Sequence, residues 1–346
     1  MLLIGCHSSN SEHPGEPPDA AGSDAAIDAA RIPDAAPSVD HLKQIFDEVD
    51  GARITQTLRE LSGDVPVMVN GAMITLGERF DDVGRQNFRD YWTQTMTGLG
   101  LEINPMQYQA TNHPRPGNNV EAILRGPSAD SLIVIVHYDS IGPKGMETAN
   151  PGADDDMSGM SILLETARLF VAHKAQLQFT VRFVASDEEE LGGLAGARNY
   201  ATYVTGLAQT QGFKLIAAID DEQSGWNCSV DNRCGDNLFP ALDIYSCGGN
   251  GPGSFDYAQL GDQLADTVAA YSPLQVKRGC LGANSDHFAF ATLGVPALTY
   301  SEHNPFANPH FDAEGGDTFA LIDTDYLISI ARPGIAFQAA LAGVQK

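Results

Sequence analysis

An α/β fold, with a mostly parallel central sheet and helices on both of its faces, follows from three features of the sequence. Short apolar runs such as SLIVIV (131–136) and KLIAAI (214–219) are continuous rather than alternating, as expected of strands buried on both faces. Segments with apolar residues at helical spacing separate those runs. The 346 residues are 43% hydrophobic, ample for a large core and incompatible with global disorder.

Taken in order, residues 39–61 place Leu42, Ile45, Phe46 and Val49 at helical spacing. A second helix is expected from Val83 to Met96, through Phe88, Tyr91 and Trp92. NNVEAILRG (118–126) alternates like a strand, and SLIVIV follows it. MSGMSILLETARLFVA (157–172) reads as a helix, QFTVRFVAS (178–186) as a strand, and Ala195–Val204 as a helix. KLIAAI is another buried strand. A helix at Ser254–Tyr271, a strand at Val295–Tyr300 and a helix at Thr324–Ala342 complete the pattern. Strands alternating with helices imply a mostly parallel sheet with helices on both faces.

Lys and Arg number 20 against 45 Asp and Glu, a formal charge of −25. That acidity argues against nucleic acid and anionic lipid headgroups as partners. No apolar run reaches the roughly 18 residues of a membrane-spanning helix. Residues 7–38, rich in Ala, Pro, Asp and Ser, bury too little apolar surface to offset their ordering entropy and are expected to be a disordered tether. Ahead of them, MLLIGC (1–6) reads as a signal remnant, because Leu3-Ile4-Gly5-Cys6 resembles the lipobox of bacterial lipoproteins. The expectation is a lipid anchor at Cys6, a cell-envelope or secreted location, and one domain over 39–346. Cys228 and Cys234, close in sequence, are the first candidates for a disulfide, which leaves Cys247 with Cys280; four reduced thiols are the alternative.

Ligands of open α/β sheets bind beyond the carboxyl ends of the strands. After SLIVIV comes His137-Tyr138-Asp139, and before the next helix Asp154-Asp155-Asp156. Asp187 to Glu190 follow QFTVRFVAS, and Asp220-Asp221-Glu222 follow KLIAAI. Four segments thus deliver one imidazole and at least eight carboxylates to one edge. Converging carboxylates are driven toward protonation unless a cation compensates, and His with Asp and Glu suits zinc.

HYDS, PGADDDMSG, EEELGGLAGAR, a strand ending in Asp, SDHFAFATLGVPALTY and NPHFDAEGGDT occur in that order. This set resembles the family of co-catalytic di-zinc aminopeptidases, relatives of the glutamate carboxypeptidases and single-zinc glutaminyl cyclases. The likeness spans roughly Asn119 to Asp325 and implies a zinc-exopeptidase-like, phosphorylase/hydrolase-like fold holding two zinc ions. It implies that His137 is a zinc ligand and that Asp139 orients its imidazole. It further implies that Asp155 bridges the two ions, with a cis peptide between Asp155 and Asp156. The family's Glu-Glu-x-Gly-Leu-x-Gly pattern is one residue longer here. Read from Leu191-Gly192 it makes Glu189 the general base and Glu190 a ligand; a shift by one gives Glu188 and Glu189. Asp220 matches the ligand after the third crossover strand, with Asp221 as its rival. The last ligand is Asp312 by gapless matching from Asn308, or His310 by residue type.

His287 in the SDH motif suits the substrate pocket or a structural role; His113 and His303 read as surface or loop residues, and Tyr300 as pocket or core. The implied reaction is hydrolysis of the N-terminal peptide bond by water activated at zinc, on a peptide with a free N-terminus. The carboxylate surplus suits that ammonium group. Lys144 and Arg198 are the candidates for a substrate carboxylate, and both read more simply as surface charges. A glutamate-type carboxypeptidase, a glutaminyl cyclase, and a non-catalytic tethered module that binds peptide or metal are the alternatives. No GxSxG elbow follows a strand, which disfavours a serine hydrolase.

Overall fold

The computed structural model describes residues 39–109, 116–142, 150–190, 193–248, 254–280, 285–310 and 316–346. Cys6, the expected tether, His113, Lys144 and Asp312 lie outside the described residues. The described residues open with two helices, α1 (His41–Glu48) and α2 (Gly51–Leu61), where apolar spacing predicted one. Asp40 and Asp50 each accept a backbone N–H three residues on, from Lys43 and Arg53, so each caps a separate helix. Then follow β1 (Val67–Val69), β2 (Ala72–Ile74), α3 (Asp82–Gly98), β3 (Glu102–Gln109), β4 (Pro116–Leu124) and β5 (Ser128–His137). Next come α4 (Met157–Ala172), β6 (Phe179–Ser186), α5 (Ala195–Gln211), β7 (Leu215–Asp221), β8 (Ala241–Gly248), β9 (Phe255–Asp256) and α6 (Ala258–Tyr271). β10 (Gln275–Cys280), α7 (His287–Ala291), β11 (Ala297–Glu302) and α8 (Thr324–Leu341) end the chain.

β1 and β2 pair as a separate hairpin, and among the described residues nine strands form the main sheet in the order β10-β8-β11-β7-β5-β6-β4-β3, with β9 on β8. Its centre, β11-β7-β5-β6, is parallel, as the continuous apolar runs predicted. The flanking pairs β6–β4, β4–β3 and β11–β8 are antiparallel, and β10 joins β8 in parallel. β3 and β10 escaped the sequence reading because edge strands carry mixed polarity; in β8, Asp243 and Ser246 interrupt the apolar run.

Side-chain alternation divides the central strands between two cores. Leu132, Val134 and Val136 enter the larger core with α1–α4, α6 and α8, whereas Ile133 and Ile135 enter the smaller one with α5 and α7. β7 splits likewise: Ala217 and Ile219 face the larger core, Ala218 the smaller. From β5 the chain passes through α4 to β6 on one side, then through α5 back to β7 on the other. β5 therefore lies at the topological switch point, where the carboxyl ends open a crevice.

Both expected disulfides form: Cys228–Cys234, and Cys247–Cys280, which ties β8 to β10. Their sequence separations are 6 and 33. The entropic gain grows with loop length, so replacing Cys247 and Cys280 by Ser should cost roughly 2–4 kcal/mol, more than the Cys228/Cys234 replacement. Urea denaturation of the two double variants reads the difference; equal losses would contradict it.

Candidate metal centre

His137 ends β5 with its imidazole fully buried. Nε2 lies 3.0 Å from Asp155 Oδ1 and 3.6 Å from Glu222 Oε1. Nδ1 faces Asp139, 3.5 Å from Oδ1 and 3.2 Å from the backbone oxygen. Asp139 in turn accepts the backbone N–H groups of Glu189 (3.0 Å) and Glu190 (3.2 Å), binding the end of β5 to the turn after β6. Burial disfavours charge on His137, yet Asp139, Asp155 and Glu222 together hold its pKa well above the ordinary value. Burial raises Asp139, but the bond to His137 and the charges of His137 and Arg85 outweigh it and leave the carboxyl lowered.

The acidic turn before α4 is held from outside. Asp317 accepts the N–H groups of Asp154 (2.8 Å) and Asp155 (2.8 Å), and the peptide between Asp155 and Asp156 is cis, as the family likeness implied. Asp155 Oδ2 accepts from Gln223 Nε2 at 3.0 Å. Asp156 caps α4 by accepting the Gly159 N–H at 3.0 Å. Arg79, which sequence reasoning missed, is wholly buried and donates to the carbonyls of Tyr138 and Gly152. Burial lowers its pKa to about 10, against the pull of Asp317 and Asp139. An arginine far from every acidic motif gives no sequence signal for this position.

In the run after β6, Glu188 takes a left-handed φ of 61° and pairs with Arg85, as does Asp187 at 3.1 Å. Gly193 (φ 61°) and Leu194 (φ 63°) are also left-handed. Burial first, then the neighbouring carboxylates, raises both Glu189 and Glu190; Glu222 is among the neighbours of each, and Asp155 is the strongest for Glu190.

Asp220 and Glu222 share one face of β7 and its extension. The Asp220 carboxylate accepts the Ser285 hydroxyl (2.5 Å) and the His287 N–H (3.2 Å). It is Glu222 that reaches His137, while accepting from the same Ser285 hydroxyl at 2.5 Å. Asp221, on the opposite face, accepts from Ser224 at 2.6 Å. Period-two alternation was the available signal: Glu222 keeps the face of Asp220 and lies one pleat further past the sheet edge.

His310 lies against Asp231, 3.7 Å away, and is not part of the His137 group. His303, read as a surface or loop residue, lies in the bend after β11 but is buried between Asp243 (2.7 Å) and Asp236 (2.8 Å). Tyr300 belongs to the larger core. His287 is buried and neither ring nitrogen has a hydrogen-bond partner among the described residues. Arg198 sits over the Phe288 ring at 5.7 Å.

Donor atoms of His137, Asp156 and Glu222 lie within 4.8 Å of one another. Asp156 Oδ2, Asp220 Oδ1 and Asp286 Oδ1 are buried without a hydrogen-bond partner among the described residues. Burial, then neighbouring carboxylates, raises Asp156 well above the carboxylate range; burial raises Glu222 to about 7, although His137 pulls it down. Orphaned oxygens, crowded acids and one oriented imidazole fit a divalent cation with N/O preference, and zinc meets that description.

This fold and donor set define a metallopeptidase of the zinc-exopeptidase class. Residues 119–333 match the model of peptidase family M28, and the chain belongs to that family. It is 26% identical to a probable zinc metalloprotease of Pyricularia oryzae, over 91% of this chain and 68% of that protein. A probable leucine aminopeptidase of Trichophyton verrucosum is 29% identical over 65% of this chain and 56% of that one. Among solved structures, the LapA aminopeptidase of Legionella pneumophila superposes with a TM-score of 0.66 at 19% identity, covering 88% of this chain and 73% of that one. The glutaminyl cyclase of Fimbriiglobus ruber gives 0.61 at 17% identity, covering 86% and 96%. Both likenesses are to the fold.

Proposed function

We propose that the protein is an aminopeptidase that hydrolyses the N-terminal peptide bond with two zinc ions. The observation that carries this is the junction of His137, Asp155 and Glu222 at the switch point, with Glu189 and Glu190 beside it. His137, Asp155, Asp156, Glu190 and Glu222 would hold the metal. Two ions are favoured because Asp155 is close both to His137 and to Glu190. When bound, zinc supplies Lewis acidity toward the scissile carbonyl and makes water acidic near neutral pH.

Glu189 takes the proton from the attacking water and passes it to the leaving amine. Asp139 orients the His137 ring by holding its Nδ1 edge. The surplus of carboxylates around the centre suits the substrate's ammonium group, which favours a free N-terminus over a free carboxyl terminus. The two disulfides favour an oxidising, extracytoplasmic location; no described helix is long and apolar enough to cross a membrane. Zinc content and turnover of leucine-, glutamate- and glutamine-blocked chromogenic amides, with and without chelator, test the reading. Chelator-sensitive release from a free-amine amide is expected; ammonia release from the glutamine substrate alone would favour a cyclase.

Glu222→Ala should lower bound zinc and turnover together. Asp220→Asn should leave more of both, because it removes a charge one hydroxyl away from the centre rather than a donor to it. Metal analysis of the two variants after dialysis decides; the reverse ranking would return the ligand role to Asp220.

A further inference from the structure

Arg79 and Arg85 stand six residues apart in GERFDDVGR (77–85), a stretch outside every acidic motif. Asp81 folds it into a tight turn by accepting the Gly84 N–H at 2.7 Å, which starts α3. A Cβ at position 84 would collide with the Glu78 carbonyl, so the turn closes only over a glycine. The Arg79 side chain is wholly buried, and its acceptors among the described residues are all backbone carbonyls: Tyr138 at 2.5 Å, Gly152 and Leu61 at 3.4 Å each, and Gly77. Its backbone N–H donates to Ser140 Oγ at 2.9 Å, and that hydroxyl donates to the Asn150 carbonyl at 2.9 Å. Its own carbonyl accepts from Arg85 Nε at 3.1 Å, while Arg85 Nη1 holds Asp187 and Glu188.

Two of those carbonyls belong to the centre. Tyr138 stands between His137 and Asp139, and Gly152 opens the turn that carries Asp154, Asp155 and Asp156. One planar guanidinium therefore joins the end of β5 to the acidic turn, Nε on the first and Nη2 on the second. The approach is close: Gly152 has a φ of 55°, and a Cβ there would stand 2.8 Å from Arg79 Nη2. Carbonyls do not neutralise the cation. It stays protonated at neutral pH, with a pKa of about 10, and Asp317, Asp139, Glu190 and Asp155 attract it through space. A buried charge is costly unless compensated, and here the centre itself compensates it. Resting on the zinc reading given above, we propose that Arg79 is a positioning residue of the centre: its fork sets the spacing between His137 and Asp139 on one segment and Asp155 and Asp156 on the other. Lysine would keep the charge, but its ammonium is a point charge without the rigid fork.

The test compares Arg79→Lys and Arg79→Met with the wild type, each as the full chain. Zinc affinity is read without substrate, by competition with a chromogenic chelator. At saturating zinc, kcat and KM are read on a free-amine chromogenic amide, and urea denaturation reports stability. Both variants should bind zinc about 10–100-fold more weakly, the range for partners that orient metal-binding side chains. kcat should fall while KM stays near that of the wild type, because Arg79 is sealed from the substrate. Arg79→Lys retains the charge and decides alone if Arg79→Met fails to fold. Wild-type zinc affinity and kcat in Arg79→Lys overturn the proposal, as do variants that lose urea stability and nothing else. Weakened zinc binding by the variants of a chain that cleaves no amide leaves this proposal standing and removes the aminopeptidase reading. A wild type that binds no zinc overturns both.

Discussion

Glu189→Gln will lower kcat by about 10²–10⁴-fold, the range associated with a positioned general base, and will leave zinc content unchanged. The amide keeps the volume and the backbone N–H bonded to Asp139 but cannot accept the water proton. The informative control is Glu188→Gln. Glu188 pairs with Arg85, so its loss should appear as a stability deficit of about 1–3 kcal/mol with kcat close to wild type. Steady-state kinetics with metal analysis separates the two. If Glu188→Gln abolishes turnover and Glu189→Gln does not, the register assigned to the acidic run is wrong by one residue.

Removing the metal will invert the usual pH dependence of stability. In the metal-free protein burial raises Asp221, Glu222 and Asp317 to about 7. The folded state then holds protons that the unfolded state has released between about pH 4 and 7, so stability falls as pH rises through that window. His137, also raised, acts in the same direction: its contribution is present at low pH and lost as pH climbs through its folded pKa. Asp139, lowered, opposes this only toward strong acid. One such carboxyl is worth on the order of 3 kcal/mol. Chelator-treated protein should melt several degrees higher at pH 5.5 than at pH 8, at about 2 °C or more per kcal/mol. Zinc should raise the melting temperature most at pH 8, because it binds the ionised donors. A metal-free protein that gains stability steadily from pH 5.5 to 8 would show that the carboxylates do not crowd one another as described.

Both experiments bear on residues whose legibility in the sequence was unequal. Runs such as SLIVIV announced a parallel centre because a strand covered on both faces is apolar at every position. The ends of those runs pointed to His137 and the Glu188–Glu190 cluster, since a strand's last residue is where the sheet stops, and the acidic turn before α4 pointed to Asp155. The pairing of Cys228 with Cys234 was legible from proximity, whereas the break between α1 and α2 was not, because the apolar spacing runs through it and only the folded chain shows Asp40 and Asp50 capping two helices. Edge strands β3 and β10 were not, because half their surface is solvated and their pattern is diluted.

Fold class, the order of crossovers and the acidic edge were properties of local periodicity, which each segment carries on its own. Which carboxylate meets which partner was decided only in three dimensions. Glu222 displaced Asp220 beside His137, Glu188 was drawn off to Arg85, and the unheralded Arg79 came to lie under the acidic turn. These outcomes depend on contacts between residues tens of positions apart, and a charged side chain gives no local sign of the partner that burial will force upon it.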